Sequence, residues 1–316
     1  MDKRYTVGID IGGQSSKIGI VSEDAEIVAR GVLDMKGFGP DDATLFLDSL
    51  CAKVSDLASG VGLEEIKGIG IGAPNSNYYN GTIEKAVNLP WAKDKVVHLC
   101  DGVSRRLGLP ATVTNDANAA ALGEMTYGAA QGMKDFIEIT LGTGVGSGIV
   151  SGGKLVYGHD GFAGELGHVT AVRGGRRCGC GRNGCLEAYA SATGVARTAR
   201  EWLDDGNRDS ILRGIENITS KDVYDAAVKG DATAVRIFEY TGRILGECFA
   251  DFVTFSAPEA IIIFGGLMEA GDLLLNPIRE AFEENVLFVW KDKVKIIRSG
   301  LKASDAAILG ASALAW

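Results

Sequence analysis

Residues 135–150 read DFIEITLGTGVGSGIV, which is an apolar strand, a glycine-rich turn and a second strand. The chain opens in the same way, with YTVGIDIGG at 5–13 leading through a turn into SKIGIV at 16–21. Aligning the two stretches pairs Gly12 with Gly142, and a third strand follows each hairpin. The repeat predicts a duplicated fold, in which two α/β domains flank a cleft and bind a nucleotide between them.

The segments around these hairpins predict alternating helices and strands. Apolar periodicity and turn residues indicate helices at 41–59, at 101–107 and from 117 onward, and strands at 66–71 and 111–114. A long helix over 232–254 precedes a buried strand within 260–267 and a final helix within 304–315. We predict an N-terminal α/β domain over 1–116, completed by the C-terminal helix at 303–316, and a C-terminal α/β domain over 117–302.

The composition is that of a globular protein and argues against several functional classes. The 316 residues are 46% hydrophobic and carry a formal net charge of -9, which argues against a basic nucleic-acid surface. The chain enters its first strand without the apolar stretch of a signal peptide, and its later apolar segments are too short to span a bilayer. We expect a cytoplasmic protein with neither a membrane nor a nucleic acid as partner.

The six cysteines fall into two classes. In a reducing compartment, clustered cysteines indicate metal binding or catalysis more often than disulfides. The isolated ones have apolar neighbours and are predicted to be plain core: Cys51, Cys100 and Cys248. The other three belong to a single loop.

That loop has the spacing H-x9-C-x-C-x4-C. Four nitrogen and sulfur ligands are typical of a structural zinc site, and the interleaved glycines let the backbone curl around an ion. We expect Arg176 and Arg177 to offset the thiolate charge. Three unrelated buried cysteines and a redox pair are the weaker alternatives. We predict a zinc-binding loop over 165–187 with four ligands: His168, Cys178, Cys180 and Cys185.

Two acids flank the metal ligands, Glu165 and Glu187. They could be solvated surface acids. In a loop stiffened by zinc they can instead be aimed at sugar hydroxyl groups, for which carboxylates are good acceptors. His168 could bind zinc through one ring nitrogen and offer the other to the sugar.

The two glycine turns are candidate phosphate sites. A turn of this kind lets backbone N–H groups approach phosphate oxygens, although a tight turn with no ligand is the simpler alternative. Asp10 ends a strand where its carboxylate could hold Mg²⁺, directly or through water. Lys17 could supply a positive charge, or could be a solvated strand residue.

Asn115 and Asp116 follow a strand and open a helix. They could serve only as helix caps, worth about 1 kcal/mol. The alternative is that Asp116 accepts the proton of an attacking hydroxyl group, because phosphoryl transfer depends mainly on positioning and charge stabilisation. The helix N-terminus favours a negative charge there.

Taken together, these residues make the chain resemble the ROK family of sugar kinases, and within it the bacterial glucokinases. The resemblance covers nearly the whole chain and is carried by eight motifs: DIGGQSSK, GIGAPN, NLPW, NDANAAALGE, TLGTGVGSGIV, GELGH, CGCGRNGCLEAYAS and FGGLMEAG. It implies the actin-like ATPase (ribonuclease H-like) fold, with ATP and the sugar bound in the cleft, and an assembly of two or four copies.

The resemblance also implies roles for particular residues. Asp116 would be the base. Phosphate and Mg²⁺ would lie against Asp10 and the two turns, with the adenosine near a later glycine pair; the glycine-turn and adenosine residues are Gly12, Gly13, Gly142, Thr143, Gly144, Gly265 and Gly266. The sugar would meet Asn88, Asn115, Asp116, Glu165, His168 and Glu187.

Two positions depart from the family pattern. Gln14 stands where the family usually has Thr, and Asn75 follows Ala-Pro where glucokinases commonly have Gly. The first bears on the phosphate turn, and the second puts the choice of sugar in doubt.

Three hypotheses follow for the function. The first is ATP-dependent phosphorylation of glucose at its 6-hydroxyl. The second keeps this chemistry with N-acetylmannosamine, N-acetylglucosamine, mannose or fructose as the sugar. The third is a non-catalytic sugar-sensing repressor, which would carry an N-terminal helix-turn-helix, for which we expect no room because only nine residues precede Asp10. A purely structural role would leave Asp116 and the phosphate turns without purpose.

Overall fold

The structure is a computed structural model and describes residues 4–204, 209–302 and 304–316. The first part of the chain contains β1 (Tyr5–Ile11), β2 (Ser15–Ser22), β3 (Ile27–Asp34), α1 (Ala43–Ala58), β4 (Ile66–Gly72), β5 (Ser76–Asn77), β6 (Thr82–Glu84), β7 (Val96–Val97), α2 (Leu99–Leu107), β8 (Ala111–Thr114) and α3 (Asp116–Tyr127). The remainder contains β9 (Phe136–Leu141), β10 (Val145–Ser151), β11 (Lys154–Leu155), α4 (Glu187–Ala190), α5 (Ala192–Asp204), α6 (Ser220–Val228), α7 (Ala232–Ser256), β12 (Ala260–Phe264), α8 (Asp272–Asn285), β13 (Lys295–Arg298) and α9 (Ala306–Ser312).

Two five-stranded sheets have the same topology. Their orders are β3-β2-β1-β4-β8 and β11-β10-β9-β12-β13. In each sheet the opening hairpin is antiparallel, and the next two strands in the order run parallel to its first strand. The duplication inferred from the glycine hairpins therefore extends to the whole sheet, including β13, which the sequence pattern did not predict.

The chain divides into two compact units, each with its own core. The first unit comprises the described residues up to Met133, the segment Leu155–Ala163 and the described residues from Ser299 onward. The second comprises Lys134–Lys154 and the described part of 164–298. These limits differ from the boundary after Asp116 that we inferred from the sequence, because all of α3 belongs to the first unit.

Glycines explain why α3 and the C-terminal helix α9 stay with the first sheet. A side chain at Gly8 or Gly70 would collide with the α9 backbone, so both strands let this helix approach closely. Gly310 allows the same contact between α9 and the backbone of α3. The fully buried Glu124 carboxylate of α3 also accepts hydrogen bonds from Ser299 and from the Gly300 N–H, which secures the segment leading into α9.

The three isolated cysteines are buried, as predicted. Cys51 and Cys100 belong to the first core and Cys248 to the second. Burial raises the pKa of the Cys51 thiol to about 11 and those of Cys100 and Cys248 to about 12. Among the described helices, none combines the length and apolar character needed to cross a membrane.

Candidate active site

In the first unit, three neighbouring strands bring the predicted reacting groups to one edge of the sheet. Asp10 on β1 is paired with Gly72 on β4, which in turn is paired with Thr114 on β8. Asn115 and Asp116 come directly after Thr114. A Cβ atom on Gly72 would stand 3.3 Å from the Ala119 Cβ atom and 3.7 Å from the Asp116 Cα atom, so the start of α3 lies directly against β4.

The two residues at the start of α3 have different local roles. Asn115 is the N-cap, and its side chain accepts a hydrogen bond from the Asn118 N–H at 2.6 Å. Asp116 is exposed, and one of its carboxylate oxygens accepts from the Ala117 N–H at 2.9 Å. The capping function is therefore met by Asn115, which leaves the Asp116 carboxylate available to a ligand.

Asp10 lies in a less favourable electrostatic position than an ordinary surface carboxylate. Burial raises the pKa of its carboxyl group, Lys17 on the paired strand lowers it, and the charge of Asp116 raises it further. Lys17 is the residue paired with Asp10 across the β1–β2 hairpin. A bound cation would relieve the repulsion between the two acids.

The first glycine turn is tight and contacts another predicted site residue. The Gly12 N–H donates to the Ser15 carbonyl oxygen at 3.0 Å. A Cβ atom on Gly13 would stand 3.0 Å from the carbonyl oxygen of Asn88, which is itself exposed. Asn88 and the turn are thus neighbours, although 75 positions separate Gly13 from Asn88 in the sequence.

In the second unit, the other glycine turn borders a mostly apolar cavity of about 480 Å³. Gly142, Thr143 and Gly266 are among the residues that line it. Gly265 has φ = +116°, and a side chain there would collide with the backbone of Leu141. Only glycine tolerates both this positive φ and this close approach. The contact brings the segment with Gly265 and Gly266 against Leu141, the residue that leads into the turn at 142–144.

The four predicted metal ligands converge. Their ligand atoms all lie within 4.8 Å of one another. The His168 Nδ1 atom is 3.8 Å from the Cys178 Sγ atom, and the Sγ atoms of Cys180 and Cys185 are 3.6 Å apart. A tetrahedron with ligands at about 2.3 Å has edges of about 3.8 Å, so the residues fit a zinc-sized ion.

The electrostatics of the cluster correct one expectation from the sequence. The Arg176 guanidinium does not offset thiolate charge, because it is buried against the Tyr189 ring and hydrogen-bonds to Glu201 at 2.9 Å. A buried guanidinium needs a carboxylate counter-charge, which the nearby helix α5 supplies. The arginine that acts on the thiols is Arg182, whose backbone hydrogen bond and charge lower the pKa of Cys180.

The acids that flank the cluster differ in their surroundings. Glu165 is exposed, and its carbonyl oxygen accepts from the His168 N–H across one short turn. Glu187 opens α4, with one carboxylate oxygen 3.5 Å from the Cys178 Sγ atom and the other accepting from the Val145 N–H at 3.1 Å. Glu187 is therefore held between the metal cluster and the second glycine turn.

Some neighbours of these sites were missed by the sequence analysis. In the first unit the ring of Tyr78 stacks on that of the half-buried Tyr157, with ring centroids 4.0 Å apart, and the Tyr157 hydroxyl lies beside that of Thr114. In the second unit Tyr224 and Phe238 line the apolar cavity. The adjacent Tyr78 and Tyr79 in an otherwise polar loop were a weak sequence signal for the tyrosine stack. Nothing in the local sequence pattern marked Tyr224 or Phe238 as cavity residues.

Comparison with known proteins identifies the lineage. Residues 6–316 match the model of the ROK family. The chain belongs to the ROK family. The glucokinase of Halalkalibacterium halodurans is 37% identical over 98% of this chain and 94% of its own length.

Solved structures of ROK proteins share the fold. A ROK family glucokinase from Streptomyces griseus, in complex with glucose and AMPPNP, is 36% identical, covers 98% of both chains and superimposes with a TM-score of 0.77. A ROK family transcriptional regulator, described as a homologue of the E. coli MLC protein, is 27% identical with a TM-score of 0.85, over 98% of this chain and 77% of its own. The predicted actin-like α/β fold class is confirmed.

Proposed function

We propose that this protein is a sugar kinase that transfers the γ-phosphoryl group of ATP to the 6-hydroxyl of glucose. The observation that carries the proposal is that the strand register brings Asp10 and the start of α3, where Asp116 lies, to the ends of neighbouring strands, with the N-cap supplied separately by Asn115. Full-length similarity to glucokinases supports the choice of glucose.

Asp116 is the proposed catalytic base. Its exposed carboxylate accepts the proton of the 6-hydroxyl as that oxygen attacks the γ-phosphorus atom, while the bond to the leaving ADP oxygen breaks. Asp10 binds Mg²⁺, which neutralises charge on the ATP phosphates. Lys17, exposed on the strand paired with β1, adds a positive charge near the same phosphates.

The remaining predicted residues bind the substrates. The cavity of the second unit is apolar enough to take an adenine base beside Gly266, and the two glycine turns are assigned to the phosphates. The sugar hydroxyls are assigned to polar side chains that precede helices or flank the metal cluster: Asn88, Asn115, Asp116, Glu165, His168 and Glu187.

The metal cluster is assigned a structural Zn²⁺. All four positions are occupied by nitrogen or sulfur ligands, which is typical of a closed site that holds a fold together. Cys180→Ala removes one ligand, so we expect the purified variant to contain little zinc by elemental analysis. Cys248→Ala is the matched control, because this buried cysteine lies outside the cluster, and it should retain the metal.

One experiment tests the kinase proposal directly. The purified protein is incubated with Mg-ATP and a panel of hexoses and N-acetylhexosamines, and ADP release and the position of the phosphate are measured. Glucose should give the highest kcat/KM, with the product phosphorylated at the 6-position. ADP release that stays at the level of the sugar-free ATPase background for every sugar contradicts a kinase.

The same panel separates the alternatives. A preference for N-acetylmannosamine, N-acetylglucosamine, mannose or fructose keeps the chemistry and changes the substrate, and Asn75, which lies in the left-handed region with φ = +52°, is the departure that motivates it. Similarity to a transcriptional regulator motivates the non-catalytic alternative. Sugar binding by calorimetry without ADP release supports that alternative.

The proposal includes an assembly and a location. A homodimer or homotetramer in the cytoplasm is expected for an enzyme of this kind. Light scattering coupled to size-exclusion chromatography measures the assembly.

A further inference from the structure

The carboxylate of Glu187 connects the metal cluster with the second glycine turn. Its Oε1 atom is 3.5 Å from the Sγ atom of the ligand Cys178. Its Oε2 atom accepts from the N–H of Val145, the first residue after the turn, at 3.1 Å. The absence of a side chain at Gly144 makes room for this carboxylate, since a Cβ atom there would stand 2.5 Å from Oε2.

Residues further along the same segment hold the rest of the turn. The Ala192 N–H donates to the Gly142 carbonyl oxygen at 2.8 Å. The Thr193 hydroxyl donates to the Thr143 carbonyl oxygen at 3.0 Å. Because the segment following the cluster hydrogen-bonds to Gly142, Thr143 and Val145, it braces both ends of the turn.

A second segment, residues 166–167, also packs against the turn; it precedes the ligand His168 in the chain. Gly167 lies so close to the Val145 carbonyl oxygen that a side chain at this position would collide with it. The Leu166 N–H donates to the Ser147 hydroxyl at 3.0 Å, which ties the same short turn to β10. The ligand His168 follows directly, so both chain segments that supply metal ligands are packed against the start of β10.

We propose that the metal cluster and the nucleotide turn form one mechanical unit, so that metal occupancy sets the affinity for nucleotide even when no sugar is present. Thr193 and Glu187 are the positioning residues of this unit. They act through the backbone of the turn at 142–145. The inference rests on the proposed metal and nucleotide sites, and it assigns the cluster a role beyond holding sugar ligands.

The physical reason is the cost of ordering a glycine-rich turn. Gly142 and Gly144 leave the turn backbone with many accessible conformations, and fixing them costs free energy when phosphate binds. A metal that holds both bracing segments orders the turn before the nucleotide binds, so less conformational entropy is lost on binding. Removing the metal should therefore weaken nucleotide binding by roughly tenfold, the equivalent of one or two lost hydrogen bonds.

The first test compares metal-loaded and metal-free protein. Zinc is removed with a chelator, the chelator is dialysed away, and Mg²⁺ and AMPPNP are added in the absence of sugar. Titration calorimetry should give a dissociation constant roughly tenfold higher for the metal-free protein, and re-adding Zn²⁺ should restore it. An unchanged dissociation constant in metal-free protein that retains its circular dichroism spectrum overturns the proposal.

The second test leaves the metal in place and removes one brace. Thr193→Val preserves the shape of the side chain and deletes the hydroxyl that contacts Thr143, so AMPPNP affinity should fall roughly fivefold at full zinc content. Thr170→Val is the matched control, because this threonine lies beside the cluster and interacts with Arg182, away from the turn. Wild-type affinity in Thr193→Val overturns the proposal even if chelation unfolds the protein.

These outcomes are distinct from a failure of the proposed kinase function. If the wild-type protein phosphorylates no sugar, the kinase proposal fails, while the AMPPNP titrations still report on the coupling. If it phosphorylates glucose and the dissociation constant is independent of zinc, the kinase proposal stands and the coupling is wrong.

Discussion

The two glycine hairpins have the same strand topology and different surroundings. At the β1–β2 hairpin, Asp10 stands two residues before Gly12, and a second carboxylate, Asp116, acts on it. At the β9–β10 hairpin, the position two residues before Gly142 is Thr140, whose hydroxyl accepts a hydrogen bond from the Gly146 N–H within the hairpin. The first hairpin concentrates charge, and the second uses its polar group internally.

The supports of the two turns also differ. Each turn is closed by a hydrogen bond of its own, from the Gly12 N–H to the Ser15 carbonyl oxygen in the first and from the Gly142 N–H to the Gly144 carbonyl oxygen in the second. The second turn is in addition braced by Glu187 and Thr193, from the segment that follows the cysteine cluster. A duplicated sheet has therefore been adapted to two tasks, with proton and cation chemistry proposed for the first unit and nucleotide positioning for the second.

The sharpest way to break this comparison is to remove the proposed base from the first unit. Asp116→Asn keeps an oxygen that can accept from the Ala117 N–H and cannot take up the proton of the attacking hydroxyl. We expect kcat for glucose to fall by roughly 10²–10⁴-fold, measured as ADP release, with unchanged zinc content.

Asp101→Asn is the control for this variant. Asp101 is also an exposed aspartate in the first turn of a helix of the same unit, and it lies outside the proposed site. Its turnover should stay near that of the wild type. A near-normal kcat for Asp116→Asn would show that this residue is not the catalytic base. The proposed difference between a charged first hairpin and an uncharged second one would then have no role in catalysis.

A second prediction concerns the adjacent glycines of the second unit. Gly265→Ala forces a side chain into the left-handed region and against the Leu141 backbone, so the free energy of unfolding should fall by roughly 3 kcal/mol. At Gly266, where a Cβ atom would meet nothing within 4 Å, alanine should cost less than about 1 kcal/mol.

Urea denaturation monitored by circular dichroism measures both variants. Equal losses at the two positions would show that the close approach to Leu141 does not limit the fold. Gly266→Ala also serves as a probe of the cavity, because it can weaken AMPPNP binding without the large loss of stability expected for its neighbour.

The smallest effect is expected for the stability of Asp10→Asn. The pKa of Asp10 in the folded protein is raised above 3.8, chiefly by burial, so the folded state binds more protons than the unfolded chain between these two pKa values. Its carboxylate therefore costs stability as pH rises through the folded pKa. Asp10→Asn should raise Tm by about 2 °C at neutral pH, with no gain at pH values below 3.8, while abolishing activity.

Asp135, at the start of the second hairpin, is the control of opposite sign. The Gly152 N–H lowers the pKa of its carboxyl group, so this carboxylate adds stability above its unfolded pKa and loses it as pH falls through the folded pKa. Asp135→Asn should give no gain in Tm at neutral pH. Differential scanning calorimetry at several pH values measures the Tm of both variants and of the wild type. A gain in Tm at neutral pH for Asp10→Asn alone is the expected difference between the two positions.

Much of the fold was predictable because its signals are local. Alternating apolar residues and glycine turns marked both hairpins, and the helical pattern over 232–254 matches α7. The domain boundary was less accessible. The return of the C-terminal helix to the first domain was predicted, but the inclusion of all of α3 was not, because it depends on Gly310 of α9 meeting the backbone of Ala119, and nothing near Asp116 in the sequence records that contact.

The sequence by itself determined the four candidate metal ligands and the two turns, because each depends on residue types at short spacing in one segment. Only the tertiary structure decided which distant groups meet. Asp10 and Asp116 are brought together through Gly72, Arg176 is drawn away from the thiols by Glu201, and Glu187 joins the metal cluster to the second turn. These pairings follow from strand order and from close backbone packing, which are properties of the whole fold that no local spacing encodes.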